Sequence, residues 1–171
     1  ALCPSVTANI SVTDSATGTA SGSVSIGGYV FNDGTDGFGA VGEVWAEAGI
    51  RDQGGVLSGF YFVRRCDDPL CLTVTTIAED NAAFTPVAYG DELEAGLSMN
   101  GSQITLAIAG SEFDVDTAAV APNLRPSQFA FRTGLQFFGV GTSISGNTAG
   151  NRAEISATID DVAINGRYVE S

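Results

Sequence analysis

Apolar and polar residues alternate along this chain with a period of two, in short segments punctuated by turn signals, and that pattern excludes a helical fold. In Glu43–Arg51, Val44, Ala46, Ala48 and Ile50 point one way while Glu43, Trp45, Glu47 and Arg51 point the other. The first set is assigned to a core. Leu93, Ala95, Leu97 and Met99 form the inward set of Glu92–Met99, and Ile104, Leu106 and Ile108 that of Gln103–Ala109. Joined through Asn100-Gly101-Ser102, the two segments make a hairpin with matched apolar faces. Further strands are expected at Val6–Thr13, Ser23–Phe31, Leu57–Arg65, Leu72–Ile77, Ser111–Val115, Ser127–Phe138 and Ala153–Ile164. In the last, Ile155, Ala157 and Ile159 are followed out of phase by Val162 and Ile164, so a bulge is predicted at Asp160-Asp161. Asn32-Asp33-Gly34, Asp52-Gln53-Gly54-Gly55, Asn100-Gly101 and Asn165-Gly166 supply the positive φ of tight turns. With 22 glycines and many Thr, Val and Ile residues, long helices are disfavoured. An all-β sandwich or barrel follows.

At 171 residues the chain suits one domain, 1–171, because halves of it would be marginal in size. Residues 1–22 read as a first strand and a flexible Ser/Thr/Gly-rich connection. The longest apolar runs, Ala118 to Ala121 and Phe60 to Val63, fall far short of the ~18 residues of a membrane helix. Charged residues are only 16% and mean hydropathy is +0.18, against ~25% charged in an average soluble protein. Some apolar surface is therefore expected to remain uncovered.

Charge and residue types narrow the chemistry. The chain has no histidine and no lysine, and twenty acidic residues face seven arginines for a net charge of −13. Nucleic acid is excluded as a partner, because phosphate binding needs a basic patch. The commonest general base and the commonest metal ligand are both missing. There is no Ser-His or Cys-His arrangement and no phosphate-binding glycine motif; Gly34, Gly37 and Gly39 read as turns. The start at Ala1 is that expected of a mature product after removal of a signal peptide. Cysteine use agrees with an oxidising compartment: Cys66 and Cys71 bracket the turn-forming Asp67-Asp68-Pro69-Leu70 and are expected to form a local disulfide. Cys3 is then odd, and pairing within the chain, a free thiol and a cross-link to another chain all stay open. A secreted or cell-surface location is expected.

The run Leu93-Glu94-Ala95-Gly96-Leu97-Ser98-Met99-Asn100-Gly101-Ser102-Gln103-Ile104-Thr105-Leu106-Ala107-Ile108-Ala109-Gly110, followed by Phe113-Asp114-Val115-Asp116, resembles the central hairpins of concanavalin-A-like and laminin-G-like domains. Phe131-Arg132-Thr133-Gly134-Leu135-Gln136, a glycine-rich loop and Ile159-Asp160-Asp161-Val162-Ala163-Ile164 look like the closing segments of the same superfamily. The resemblance implies two antiparallel sheets in a jelly roll, with first and last strands adjacent. It speaks to fold rather than to activity.

Glu43 and Glu47, with Trp45 between them, look like the Glu-x-Asp-x-Glu strand of concanavalin-like retaining glucanases, but those enzymes place an aspartate where this chain has Trp45. Two glutamates on alternate positions of an exposed strand read instead as a solvated face, and no catalytic residue is assigned. Trp45 with Glu43, Glu47 and Arg51 offers a stacking surface beside hydrogen-bonding groups, as sugar recognition needs. Packing beneath a loop is the bland reading of Trp45. No cofactor is required, although Asn32, Asp33 and Asp36, and separately Asp160 and Asp161, cluster oxygen ligands of the kind that suit Ca²⁺.

Two functions are carried forward, with a glycoside hydrolase as a remote alternative. The first is a self-assembling extracellular subunit whose partners are copies of itself, motivated by the apolar composition and by Cys3. The segment Ala8–Thr13 with its flexible sequel is its candidate for strand addition to a neighbour, against pairing at home. The second is a Ca-assisted, lectin-like module for extracellular polysaccharide.

Overall fold

A computed structural model describes residues 5–16, 20–30, 44–68, 72–84, 87–99, 103–116, 135–145 and 154–169. They form strands β1 (Ser5–Ala16), β2 (Ser21–Val30), β3 (Val44–Gln53), β4 (Val56–Cys66), β5 (Val74–Phe84), β6 (Leu93–Met99), β7 (Gln103–Ile108), β8 (Ser111–Asp116), β9 (Leu135–Ser145), β10 (Glu154–Ile164) and β11 (Arg167–Tyr168). One sheet runs β11-β10-β1-β6-β7-β8 and the other β5-β4-β3-β2-β9, every described pairing being antiparallel. The expected two-sheet sandwich is therefore present, with β1 and β10 side by side. No described helix is long and apolar enough to cross a membrane.

The core lies between the sheets and is built from the alternating sets. Val6, Ala8, Ile10 and Val12 of β1 are at most 2% exposed, as are Val44, Ala46, Ala48 and Ile50 of β3. Leu97, Ile104, Leu106 and Ile108 complete the opposing layer. Burying each large side chain of this kind stabilises the fold by about 1.5–3 kcal/mol. Tyr61 of β4 stacks on Phe113 of β8, with ring centroids 4.2 Å apart and planes 19° apart. That contact ties the two sheets together.

Turn chemistry sets the register. Gly54 and Gly55 have φ of +66° and +82°, so β3 and β4 join through a two-residue turn and pair from Gln53↔Val56 to Val44↔Arg65. Asn165 and Gly166 turn β10 into β11 in the same way, with φ of +51° and +72°. The bulge predicted at Asp160-Asp161 is found: pairing with β1 shifts between Thr7↔Ala163 and Asn9↔Asp160, and Asp161 has φ +52°. Asn9 Nδ2 donates to Asp161 Oδ2 at 3.2 Å, tying that side chain across the bulge.

Four boundaries need correction. The first strand continues to Ala16 and the second starts at Ser21, so the flexible connection expected over the second half of 1–22 is mostly strand. Strand β5 runs to Phe84 rather than stopping at Ile77. The strand expected at Ser127–Phe138 is described only from Leu135 and continues to Ser145, because Gly139 and Gly141 pair with Gly27 and Ser25 of β2 instead of forming a loop. Strand β1 also pairs at home, with β10 along most of its length and with β6 over Ser5–Ile10, and Val12 O accepts from Gly90 N. This is the pairing at home set against strand addition by Ala8–Thr13, with Asn9 and Ile10 held on both sides and Ser11 and Val12 held by β10.

Candidate functional site

The face of the β5-β4-β3-β2-β9 sheet that points away from the core groups charged and aromatic side chains closely. It follows from one parity choice. Because Val44, Ala46, Ala48 and Ile50 are buried in the core, Trp45, Glu47, Gly49 and Arg51 must face outward. Register then brings Arg64 opposite Trp45, Phe62 opposite Glu47, Phe60 opposite Gly49 and Ser58 opposite Arg51. On the other flank Gly27 lies opposite Glu47 and Ser25 opposite Gly49.

This face is not the solvated one expected from two alternating glutamates. Trp45 Nε1 donates to Glu47 Oε1 at 3.0 Å, and Ser25 Oγ donates to Glu47 Oε2 at 3.2 Å. Gly27 leaves the room this arrangement needs, since a Cβ there would lie 2.6 Å from Glu47 Cγ. Burial pushes the Glu47 carboxyl above its ordinary value, against the opposing pull of those two hydrogen bonds and of Arg51 and Arg64. Arg51 is shifted the other way: desolvation lowers its pKa, Glu79 and Glu47 oppose the shift, and Arg64 adds to it.

Phe60 and Phe62 are 0% and 2% exposed although they belong to the outward set. Arg51 Cζ sits 4.3 Å from the centroid of Phe60 and Arg64 Cζ 4.2 Å from that of Phe62, while Trp45 meets Phe62 edge to face at 4.9 Å. The rings thus act as a floor beneath two guanidiniums. Arg64 Nη2 contacts Glu79 Oε1 at 3.1 Å. Its Nε is buried and has no hydrogen-bond partner among the described residues.

Of the residues expected to bind glycan, the structure brings together Trp45, Glu47 and Arg51; Glu43 lies outside the described residues. Sequence reasoning missed Arg64, Glu79, Ser25 and the two phenylalanines. Carrying the alternation across the Gly54-Gly55 turn would have placed Arg64 opposite Trp45. Asp160 and Asp161 are exposed on the β10 bulge, and Asn32, Asp33 and Asp36 lie outside the described residues. Among the described residues no three His, Cys, Asp or Glu side chains converge as a metal site would require. Cys66 is buried and disulfide-bonded; both Cys71 and Cys3 lie outside the described residues.

A second polar cluster closes one end of the sandwich. Asp52, fully buried, accepts from Gly55 N at 2.8 Å, from Tyr89 OH at 3.0 Å and from Ser15 Oγ. It joins β1, the β3–β4 turn and the segment before β6.

No family model and no curated protein matches the chain. Among solved structures, the alginate lyase A1-II′, a member of polysaccharide lyase family-7, superposes with a TM-score of 0.52 at 13% identity, over 95% of this chain and 61% of the lyase. The chain thus spans about three-fifths of that enzyme's length. The carbohydrate-binding module CBM66 from Bacillus subtilis gives a TM-score of 0.47 at 11% identity, covering 96% and 75% of the two chains. CG-16, a homodimeric agglutinin from chicken liver, gives 0.37 at 13%, covering 91% and 97%. With the sheet order described above, the fold is a concanavalin-like jelly-roll β-sandwich.

Proposed function

We propose that this protein is a non-catalytic, secreted carbohydrate-binding module that docks a glycan on the outward face of the β5-β4-β3-β2-β9 sheet. The observation that carries the reading is the union on that face of the Trp45–Glu47–Ser25 hydrogen-bonded array with Arg51 and Arg64. A core has no use for such groups on this side, whereas a sugar ring needs an apolar surface for its C–H face and fixed polar groups for its hydroxyls. The likeness to a polysaccharide lyase supports the reading at the level of the scaffold alone.

Binding without hydrolysis is favoured by the state of Glu47. Both of its oxygens are engaged by protein donors, and a nucleophile or proton shuttle needs an oxygen directed at substrate. The disulfide at Cys66 agrees with an oxidising, extracellular setting, and we assign Cys71 as its partner on loop length. Strand addition, one route to the self-assembly also expected, draws no support from the described residues, since Val6, Thr7, Asn9 and Ile10 of β1 already pair with both β10 and β6.

The test is a glycan array followed by calorimetric titration of any hit against Trp45→Ala. Loss of binding in a variant that melts within a few degrees of wild type is expected. Unchanged affinity in that variant would remove the face from consideration.

A further inference from the structure

Resting on the carbohydrate-binding reading above, we infer that the glycan recognised by this face is acidic, bearing carboxylate or sulfate groups that Arg64 and Arg51 engage. The chain as a whole is strongly anionic, with only seven arginines in 171 residues. Two of them nevertheless lie on one sheet face, on the adjacent strands β3 and β4. They are close enough for their charges to oppose one another, Arg64 being among the causes that depress Arg51. Holding two partly dehydrated guanidiniums together is unfavourable unless something anionic compensates.

For Arg64 the described residues supply that compensation incompletely. Glu79 takes one nitrogen of Arg64, at 3.1 Å. Glu47 is a second carboxylate on this face, but both of its oxygens already accept from Trp45 Nε1 and Ser25 Oγ. Arg64 Nε is a buried donor with no acceptor among the described residues. The guanidinium is held over Phe62 and its side chain is 24% exposed, so an oxyanion arriving from solvent meets the exposed part of a preorganised planar donor and reaches Nε only as neighbouring side chains shift. Guanidinium is suited to this task because its fork matches the two oxygens of a carboxylate or sulfate. Trp45 stands directly opposite Arg64 across the β3–β4 pair. A sugar ring over the indole would therefore project an acidic substituent toward Arg64. A neutral glycan would offer these guanidiniums only hydroxyl acceptors, without the charge-assisted bonds of an oxyanion.

The experiment is calorimetric titration of the full chain with three probes of matched length: a polyuronate oligosaccharide, a sulfated neutral-sugar oligosaccharide and an unsubstituted glucan oligosaccharide. Binding of the polyuronate, the sulfated probe or both, at least ~10-fold tighter than the glucan and weakening with added salt, is expected. The ratio between the two acidic probes identifies which oxyanion is read. Arg64→Met should cost the acidic probe at least ~10-fold, and Arg64→Lys should recover only part of it because the fork is lost. Thermal melting of each variant separates lost binding from lost fold, and Arg51→Met gives an independent second reading. Glucan binding that equals acidic binding, is insensitive to Arg64→Met and is abolished by Trp45→Ala would overturn the acidic assignment while leaving the carbohydrate-binding function intact. Acidic binding that survives Trp45→Ala and both arginine variants would overturn this face as the site, and with it the engagement by Arg64 and Arg51.

Discussion

Trp45 and Glu47, two residues apart on one strand, are joined through Nε1–H and Oε1 at 3.0 Å, so the indole edge and the carboxylate form one rigid unit. The bond fixes the ring plane and occupies the carboxylate, so the two residues act on a ligand jointly.

Stability should carry the signature of Glu47. Burial raises its pKa above the usual 4.5, so the folded protein holds that proton more tightly than the unfolded chain. The group's stabilising contribution is therefore full below 4.5 and is lost as pH rises through the raised folded value. In urea titrations, wild type should lose stability relative to Glu47→Gln as pH climbs from about 4 to 7. A difference that stays flat over that range contradicts the burial of this carboxyl.

Asp52 is expected to be among the costliest acidic residues to remove. Replacing it by alanine removes the acceptor of the Gly55 amide and leaves the Tyr89 and Ser15 hydroxyls only each other within the cluster, which should cost about 2–3 kcal/mol. Asp52→Asn keeps acceptor oxygen and should cost about half as much. Urea midpoints beside Asp14→Ala, an exposed control on β1, provide the measure; equal losses at the two positions would show that the cluster holds nothing together.

Two glycines on the outward face should respond differently to an added methyl group. At Gly49 a Cβ would fall 2.7 Å from Ser25 Cα, in the backbone of the neighbouring strand, whereas at Gly27 it would meet the movable Glu47 Cγ at 2.6 Å. Gly49→Ala is expected to lose about 3 kcal/mol or fail to fold. Gly27→Ala should fold and instead displace Glu47, seen as weakened glycan binding and a changed indole fluorescence. The reverse ranking of stability would contradict the β2–β3 packing.

These residues also show where the sequence is legible. Strand β3 is readable because its two faces differ in chemistry, so alternation alone yields the core set and most of the candidate site. Strand β4 is not, because Phe60-Tyr61-Phe62-Val63 is apolar at every position and carries no parity signal. Only its pairing with β3 reveals that Tyr61 and Val63 face the core while Phe60 and Phe62 form the floor under the arginines. Strand β9 misleads for the opposite reason. Gly139 and Gly141 suggest a loop when read singly, and their place beside Gly27 and Ser25 becomes visible only through the sheet. The Arg64–Glu79 pair likewise depends on the bulged register of β4 with β5, which no local pattern encodes.

The β7–β8 turn holds a correctable flaw. Ala109 and Gly110 adopt φ of +53° and +78°, the two-residue geometry that Asn165-Gly166 satisfies at the far side of the same sheet with residues suited to it. Alanine in the left-handed region costs roughly 1–2 kcal/mol because its Cβ crowds the following carbonyl, while asparagine tolerates that region. Ala109 is exposed and its amide bonds Glu94 O at 3.0 Å, a contact that a change of side chain leaves intact. Ala109→Asn should therefore stabilise the protein by about 1 kcal/mol, read as a raised melting temperature with glycan binding unchanged, because the turn belongs to the opposite sheet from Trp45. A lowered melting temperature would mean that this turn does not hold Ala109 at positive φ.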